Sequence, residues 1–236
     1  MSILTLFVVI PLLMLLGLWL SKNLNQVRGV MVVGATALLA LSIWLTVYFI
    51  DQRASGNTAN MLLTYSVTWF EPLKIAYSVG VDGISVVMIL LSAIIVFTGT
   101  FASWQLKPLT KEYFLWFVLL SIGVFGFFIS TDMFTMFMFY EVALIPMYLL
   151  IGVWGTGPKE YSAMKLTLML MGGSALLILG ILGIYFFSGA QTMNVADLAQ
   201  LHAMPKSIQN IFFPFVFIGF GVLGALFPFH TWSPDG

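Results

Sequence analysis

The sequence predicts an all-α fold, a polytopic membrane helix bundle with about seven transmembrane helices. Three observations carry this. Hydrophobic residues make up 61% of the 236-residue chain and charged residues only 8%, against roughly a quarter charged in soluble domains. The mean hydropathy is +1.05. Apolar runs close to the ~20 residues that cross a hydrocarbon core recur along the whole chain.

The first run, Ile3–Ser21, lacks the basic leader and small-residue cleavage site of a signal peptide, so it reads as a retained span. Gly29–Ile50 is the second. A polar connection, 51–83, follows; its second half, LLTYSVTWFEPLKIAYSVGVDG, alternates apolar and polar residues between turn signals and predicts a hairpin on one membrane face. Ile84–Trp104, Tyr113–Ser130, Met133–Trp154 and Tyr161–Ser188 supply four more spans. A second extramembrane loop, 189–210, contains NVADLAQLHAM, which predicts a short surface helix started by Asn194. The seventh run, Ile211–Phe229, leads into ALFPFHTWSPDG, where Gly224, Pro228 and Pro234 predict a helix broken near its end. The chain stops there in what reads as a turn into another element, so a continuation is expected. Residues 1–236 are read as a single membrane domain.

With the N-terminus outside, Lys22, Arg28, Lys107, Lys111, Lys159 and Lys165 fall on the inner side. Arg53, Lys74 and Lys206 fall on the outer side, and this excess predicts an N-out orientation. Nine basic and nine acidic residues cancel, so no basic field would attract nucleic acid. The absence of cysteine excludes disulfides, thiolate metal sites, cysteine-held iron–sulfur clusters and a cysteine nucleophile. His202 and His230, the two histidines, lie too far apart to suggest haem or copper ligation.

Glu141 is the strongest candidate for chemistry. In a helix over Met133–Trp154 it lies about 12 Å from the outer end, near the bilayer midplane. An ionised carboxylate there is unfavourable by about 2.5–3.5 kcal/mol on insertion scales, so it must face the bundle interior and be paired, hydrated or protonated. The alternative is a protonated acid that glues neighbouring helices. Pro146 removes the hydrogen bond to the carbonyl of Val142, beside Glu141, and offers a place for water; it is otherwise a plain kink. Lys165, about four residues inside the sixth span, either snorkels to the inner interface or charges a path. Helix rise separates it from Glu141 by about 12 Å, too far for a direct pair. His230, just after Pro228 at the broken helix, suits a proton relay or an interfacial aromatic belt beside Trp232. Asp82 and Asp132 read as helix caps, and Gly172-Gly173-Ser174 as a close-packing site.

The segments STDMFTMFMFYEVALIPMYLLIGVWG (Ser130–Gly155), EYSAMKLTLMLMGGSALLILGI and LFPFHTWSPDG resemble the antiporter-like subunit M (chain 4) family of proton-translocating NADH–quinone oxidoreductase, respiratory complex I. The resemblance runs along the whole chain. It implies a fourteen-helix antiporter-like fold of two inverted repeats, of which this sequence is the N-terminal half. It further implies a proton half-channel in an inner (plasma) membrane, coupled to electron transfer elsewhere. The chain would hold no cofactor, with NADH, FMN, iron–sulfur clusters and quinone in partner subunits. Expected partners are the other membrane subunits of complex I, the lipid bilayer and protons. Glu141 matches the family's glutamate on the fifth helix, and His230 a position after the break in the seventh. The family pattern places a lysine seven residues before that histidine position, where FGVLGALFPFH has Leu223. Either Lys165 or a residue beyond this sequence replaces it, or the half-channel works without the pair. A subunit of a cation/proton antiporter or membrane-bound hydrogenase, or a non-conducting scaffold, are the alternatives.

Overall fold

A computed structural model describes residues 2–187, 189, 192–200 and 205–235. Among them, seven helices are long and apolar enough to cross a membrane. In chain order the elements are α1 (Leu6–Leu20), α2 (Leu24–Ala54), β1 (Leu62–Phe70), β2 (Ile75–Val81), α3 (Gly83–Ala102), α4 (Thr110–Ile129), α5 (Met133–Trp154), α6 (Lys159–Phe187), α7 (Val195–Gln200) and α8 (Lys206–Leu223). The all-α bundle read from the sequence is observed, as is the hairpin: β1 and β2 form a two-stranded sheet. Asn194 caps α7 as expected, its Oδ1 accepting from Ala196 N at 2.9 Å. The rest of that expected helix, with His202, lies outside the described residues. α2 is longer than its apolar run because polar residues continue the helix at both ends. It starts at Leu24, where the Gln26 side chain reaches back to accept from Lys22 N at 2.9 Å.

The helices form two compact units. The first, Met1–Tyr65 with Val79–Ile129, contains α1 to α4 and the base of the hairpin. Its core follows helical spacing: Phe7, Met14 and Leu18 on α1, Met31, Ala35 and Leu38 on α2, and Phe114, Val118 and Phe125 on α4 are buried. Leu13, Trp19, Val33 and Ile84 point outward, as a helix surface facing lipid requires. Asp82 caps α3 by accepting from Ser85 N at 2.8 Å.

The second unit, Ser66–Ser78 with Ser130–Gly236, has α6 between α5 and α8, together with α7 and the hairpin tip. α6 and α8 approach through glycines. A Cβ on Gly219 would stand 2.8 Å from Leu177 Cβ and 3.0 Å from the Gly173 carbonyl, and one on Gly180 2.6 Å from Val216 Cγ2. Such small-residue contacts let backbones close when lipid supplies no hydrophobic drive for helix association. Gly173 is part of this face, as read from the sequence, whereas a Cβ on Gly172 would meet nothing within 4 Å.

Asp132 ties the hairpin tip to α5. It is 1% exposed; its Oδ1 caps α5 through Thr135 N at 2.8 Å, and its Oδ2 accepts from Ala76 N on β2 at 3.3 Å. Thr135 Oγ1 donates to Ala76 O at 2.8 Å. The segment before α5 pairs with the start of α7: Met133 N donates to Met193 O, and Val195 N to Thr131 O. Asp132 is therefore the expected cap and also a latch on the hairpin.

α8 ends at Leu223, earlier than the apolar run suggests. Ala225 takes a left-handed conformation at φ 52°, and its N–H donates to Val222 O at 3.2 Å while Leu226 N donates to Gly221 O at 2.7 Å. These two bonds make a Schellman stop, with alanine where glycine is usual. A 3₁₀ turn, Phe229–Trp232, follows. The predicted break is present, and the physical cause is this stop, placed ahead of Pro228.

Two outcomes are expected in detergent unfolding experiments. Gly219→Ala destabilises by about 1–3 kcal/mol, since its Cβ would meet backbone and a Leu Cβ that cannot swing away; Gly172→Ala is neutral or mildly stabilising. Burial pushes the Asp132 carboxyl above its ordinary value of 3.8, outweighing the N–H donors that lower it. An acid raised by folding stabilises the fold fully below the ordinary value, and that contribution is lost as pH rises through the raised value. The wild-type melting midpoint should therefore decline with pH just above 3.8 more steeply than that of Asp132→Asn. Equal slopes would contradict this origin.

Candidate functional site

The candidate residues all belong to the second unit. Glu141 follows eight residues after Met133, about 12 Å along α5. It is half-buried. Its Oε1 is buried and has no hydrogen-bond partner among the described residues. The adjacent Tyr140 is buried and satisfied, its hydroxyl donating to Leu170 O on α6 at 3.1 Å. Two neighbouring polar groups on one helix thus differ sharply: one is locked to the next helix, the other has an oxygen with nothing to bind. A buried acceptor left unpaired is unfavourable, far more so when ionised.

Pro146 is buried inside α5, and the helix continues through it from Met133 to Trp154. Its nitrogen has no hydrogen for the carbonyl of Val142. That carbonyl belongs to the residue after Glu141, so an under-satisfied backbone acceptor and an unpaired carboxyl oxygen lie within one turn.

Lys165 sits further toward the α6 N-terminus. The helices run antiparallel, and a Cβ on Gly152 would stand 3.5 Å from Ala163 Cβ. Counting eleven residues from each of that pair puts Glu141 level with position 174, so nine residues, or about 13 Å, separate it from Lys165 along the axis. The separation read from sequence is retained, and Lys165 has another partner. Its Nζ lies 2.6 Å from Asp235 Oδ2, with side chains 21% and 40% exposed respectively. The ammonium also lies 5.7 Å from the centre of the Tyr161 ring.

The segment that carries Asp235 is held back onto the helices. Trp232 Nε1 donates to Val222 O at 3.0 Å, and Thr231 Oγ1 contacts Met169 Sδ at 3.7 Å. His230 lies in this turn and is exposed, its ring 5.6 Å from that of Phe227. Pro228 opens the turn. Leu223 is the last residue of α8 and is half-buried. The fold therefore gathers Lys165 and the turn after α8 into one cluster, and leaves Glu141 with Pro146 at a separate level.

Asp235 is the residue that sequence reasoning missed. It lies 70 positions from Lys165, in a run that reads only as a turn, and no spacing rule links the two. The other signal that could have drawn attention to it is arithmetic: in a chain with nine acids, each one near a span has reason to be there.

Comparison with known proteins places relatives over the same stretch of chain. A family model described as "NADH:quinone oxidoreductase/Mrp antiporter, TM" matches residues 130–236, the stretch that carries every candidate above. Subunit M of NADH-quinone oxidoreductase from Rickettsia prowazekii is 29% identical over 239 residues, covering 100% of this chain and 48% of that protein. NAD(P)H-quinone oxidoreductase chain 4-2 from Synechocystis sp. is 31% identical over 179 residues, covering 76% of this chain and 32% of that protein. Among solved structures, a chain of respiratory complex I from Thermus thermophilus superposes with a TM-score of 0.84 at 22% identity, over 98% of this chain and 46% of that one. The chain spans a third to a half of the length of these relatives. With seven membrane-length helices and these matches, the chain is a multi-pass membrane protein whose residues 130–236 match the NADH:quinone oxidoreductase/Mrp antiporter family.

Proposed function

We propose that this chain serves in the membrane arm of a proton-pumping NADH:quinone oxidoreductase and forms a proton half-channel there. The reading rests on the buried, unpartnered Oε1 of Glu141 in the middle of a span. An isolated carboxylate in hydrocarbon is stable only if it is protonated, paired or hydrated. Glu141 accepts a proton when its surroundings are dry and releases it when water or a cation reaches it. The Val142 carbonyl freed by Pro146 supplies an anchor for that water. Lys165 and His230 contribute charge and a titratable group nearer the membrane surface. Redox chemistry, with NADH, flavin, iron–sulfur clusters and quinone, belongs on this reading to other subunits, and the chain moves only protons. The membrane is the inner or plasma membrane, with the N-terminus outside.

A second reading is favoured by one observation: Leu223 stands where the family resemblance calls for a lysine. A chain without that cation could couple its neighbours without conducting. An antiporter subunit would share the Glu141 helix, and copurifying flavin and iron–sulfur clusters would separate the two assignments.

Glu141→Gln in the intact complex should abolish or strongly lower proton translocation while electron transfer through the peripheral redox groups survives. An unchanged proton-to-electron ratio would sink the half-channel and leave the scaffold. Lys165→Gln and Asp235→Asn should each lower pumping, and the double variant should be no worse than the more severe single one, since paired groups act as a unit. Additive losses would mean that the two charges act independently.

A further inference from the structure

The first unit carries a groove that the proton-path reading does not use. It opens between α1 and α2, encloses about 550 Å³, and is lined by apolar side chains such as Leu13, Val30 and Val33 and by the bare backbone at Gly29. A Cβ added at Gly29 would meet nothing within 4 Å, so the groove is open at this point. Gln26 is the polar side chain among the described residues that line it.

Gln26 shows which end of the groove meets the membrane surface. It lies in the first turn of α2 and accepts from Lys22 N at 2.9 Å, and α1 has ended at Leu20. The groove therefore runs from an apolar interior to a polar mouth at the edge of the hydrocarbon, the depth of lipid phosphates. That mouth is basic. Lys22 is exposed. Lys111 Nζ donates to Trp19 O at 3.0 Å and Ser21 O at 2.8 Å, next to Lys22. Arg28 donates to Trp104 O at 2.7 Å, which brings the α3–α4 connection with Lys107 to the same end. Against these four cations the connecting segments and first helical turns hold one acid, Glu112.

We propose that this groove binds an anionic phospholipid, with an acyl chain along Gly29 and Val33 and the phosphate at Lys22 and Gln26. Charge complementarity selects this occupant. A neutral lipid would fill the groove but leave the basic mouth uncompensated, and an apolar partner helix would do the same. Basic residues at the edge of a span attract anionic headgroups by the same field that orients membrane proteins. The site lies on α1 and α2, so its occupancy is independent of whether Glu141 carries protons.

The test uses the protein in its native membrane complex, exchanged into nanodiscs of equal phosphatidylglycerol and phosphatidylcholine, stripped by mild detergent and analysed for retained lipid by mass spectrometry. Wild type should retain phosphatidylglycerol several-fold over phosphatidylcholine relative to the bulk mixture. Lys22→Glu should reduce that preference, with lipid still retained. Gly29→Leu fills open space without a clash and should lose lipid that wild type keeps, with its melting temperature preserved. Retention of the two lipids in bulk proportion by wild type, or Gly29→Leu keeping its full complement, would overturn the assignment. A Gly29→Leu complex that keeps its lipid and sheds a neighbouring subunit would assign the groove to a partner helix instead.

Discussion

Hydrocarbon offers no hydrogen bonds, so each backbone amide and carbonyl inside a span must be satisfied by protein. Every main feature of this chain follows from that constraint. The long helices meet it within themselves. Their mutual approach then depends on packing alone, and the α6–α8 contact achieves it by presenting Gly173 and Gly180 of α6 to Gly219, Val222 and Val216 of α8. Where a helix must stop, its end is satisfied locally. Ala225 and Leu226 donate to the last carbonyls of α8, and Trp232 adds its indole N–H to the Val222 carbonyl.

Seen against that rule, the unsatisfied groups stand out. Tyr140 donates across to α6, whereas the next residue, Glu141, has an oxygen with no partner among the described residues. One turn later Pro146 withholds a donor from the Val142 carbonyl. The unpartnered carboxyl oxygen and the carbonyl that Pro146 cannot serve form a place that water or a proton would stabilise. This arrangement is what the proposed relay uses. A purely structural acid would be expected to bond to a neighbouring helix as Tyr140 does.

Charge is distributed on a second level. Lys165 and Asp235 close a contact between α6 and the turn that follows α8, about 13 Å from Glu141 along the α6 axis. Both side chains keep contact with the exterior, so the pair owes little to burial, and it leaves a cation beside the broken helix. With Leu223 at the end of α8, that cation is carried by α6. Near the hairpin tip, Asp132 takes the opposite course, buried and satisfied by two N–H donors. Three acids on or beside the same helical layer thus serve as an unpaired mid-span group, an exposed partner and a latch.

Much of the fold was legible in the residues alone, because membrane crossing is set by the length and composition of local runs. The seven spans, the hairpin over Leu62–Val81, the caps at Asp82, Asp132 and Asn194, and the broken end of the seventh span all arise from near-neighbour chemistry. The anomaly of Glu141 was also legible, since a lone acid in an apolar run needs no coordinates to be noticed. Tertiary structure alone decided what depends on distant pieces of chain meeting. It supplied the Lys165–Asp235 pair across 70 residues, the second bond of Asp132 to Ala76, the α8 residues that meet the Gly173 packing site, and the contrast between bonded Tyr140 and the unpartnered Oε1 of Glu141. A local run records whether a residue can sit in a membrane, and only packing determines which partner it finds there.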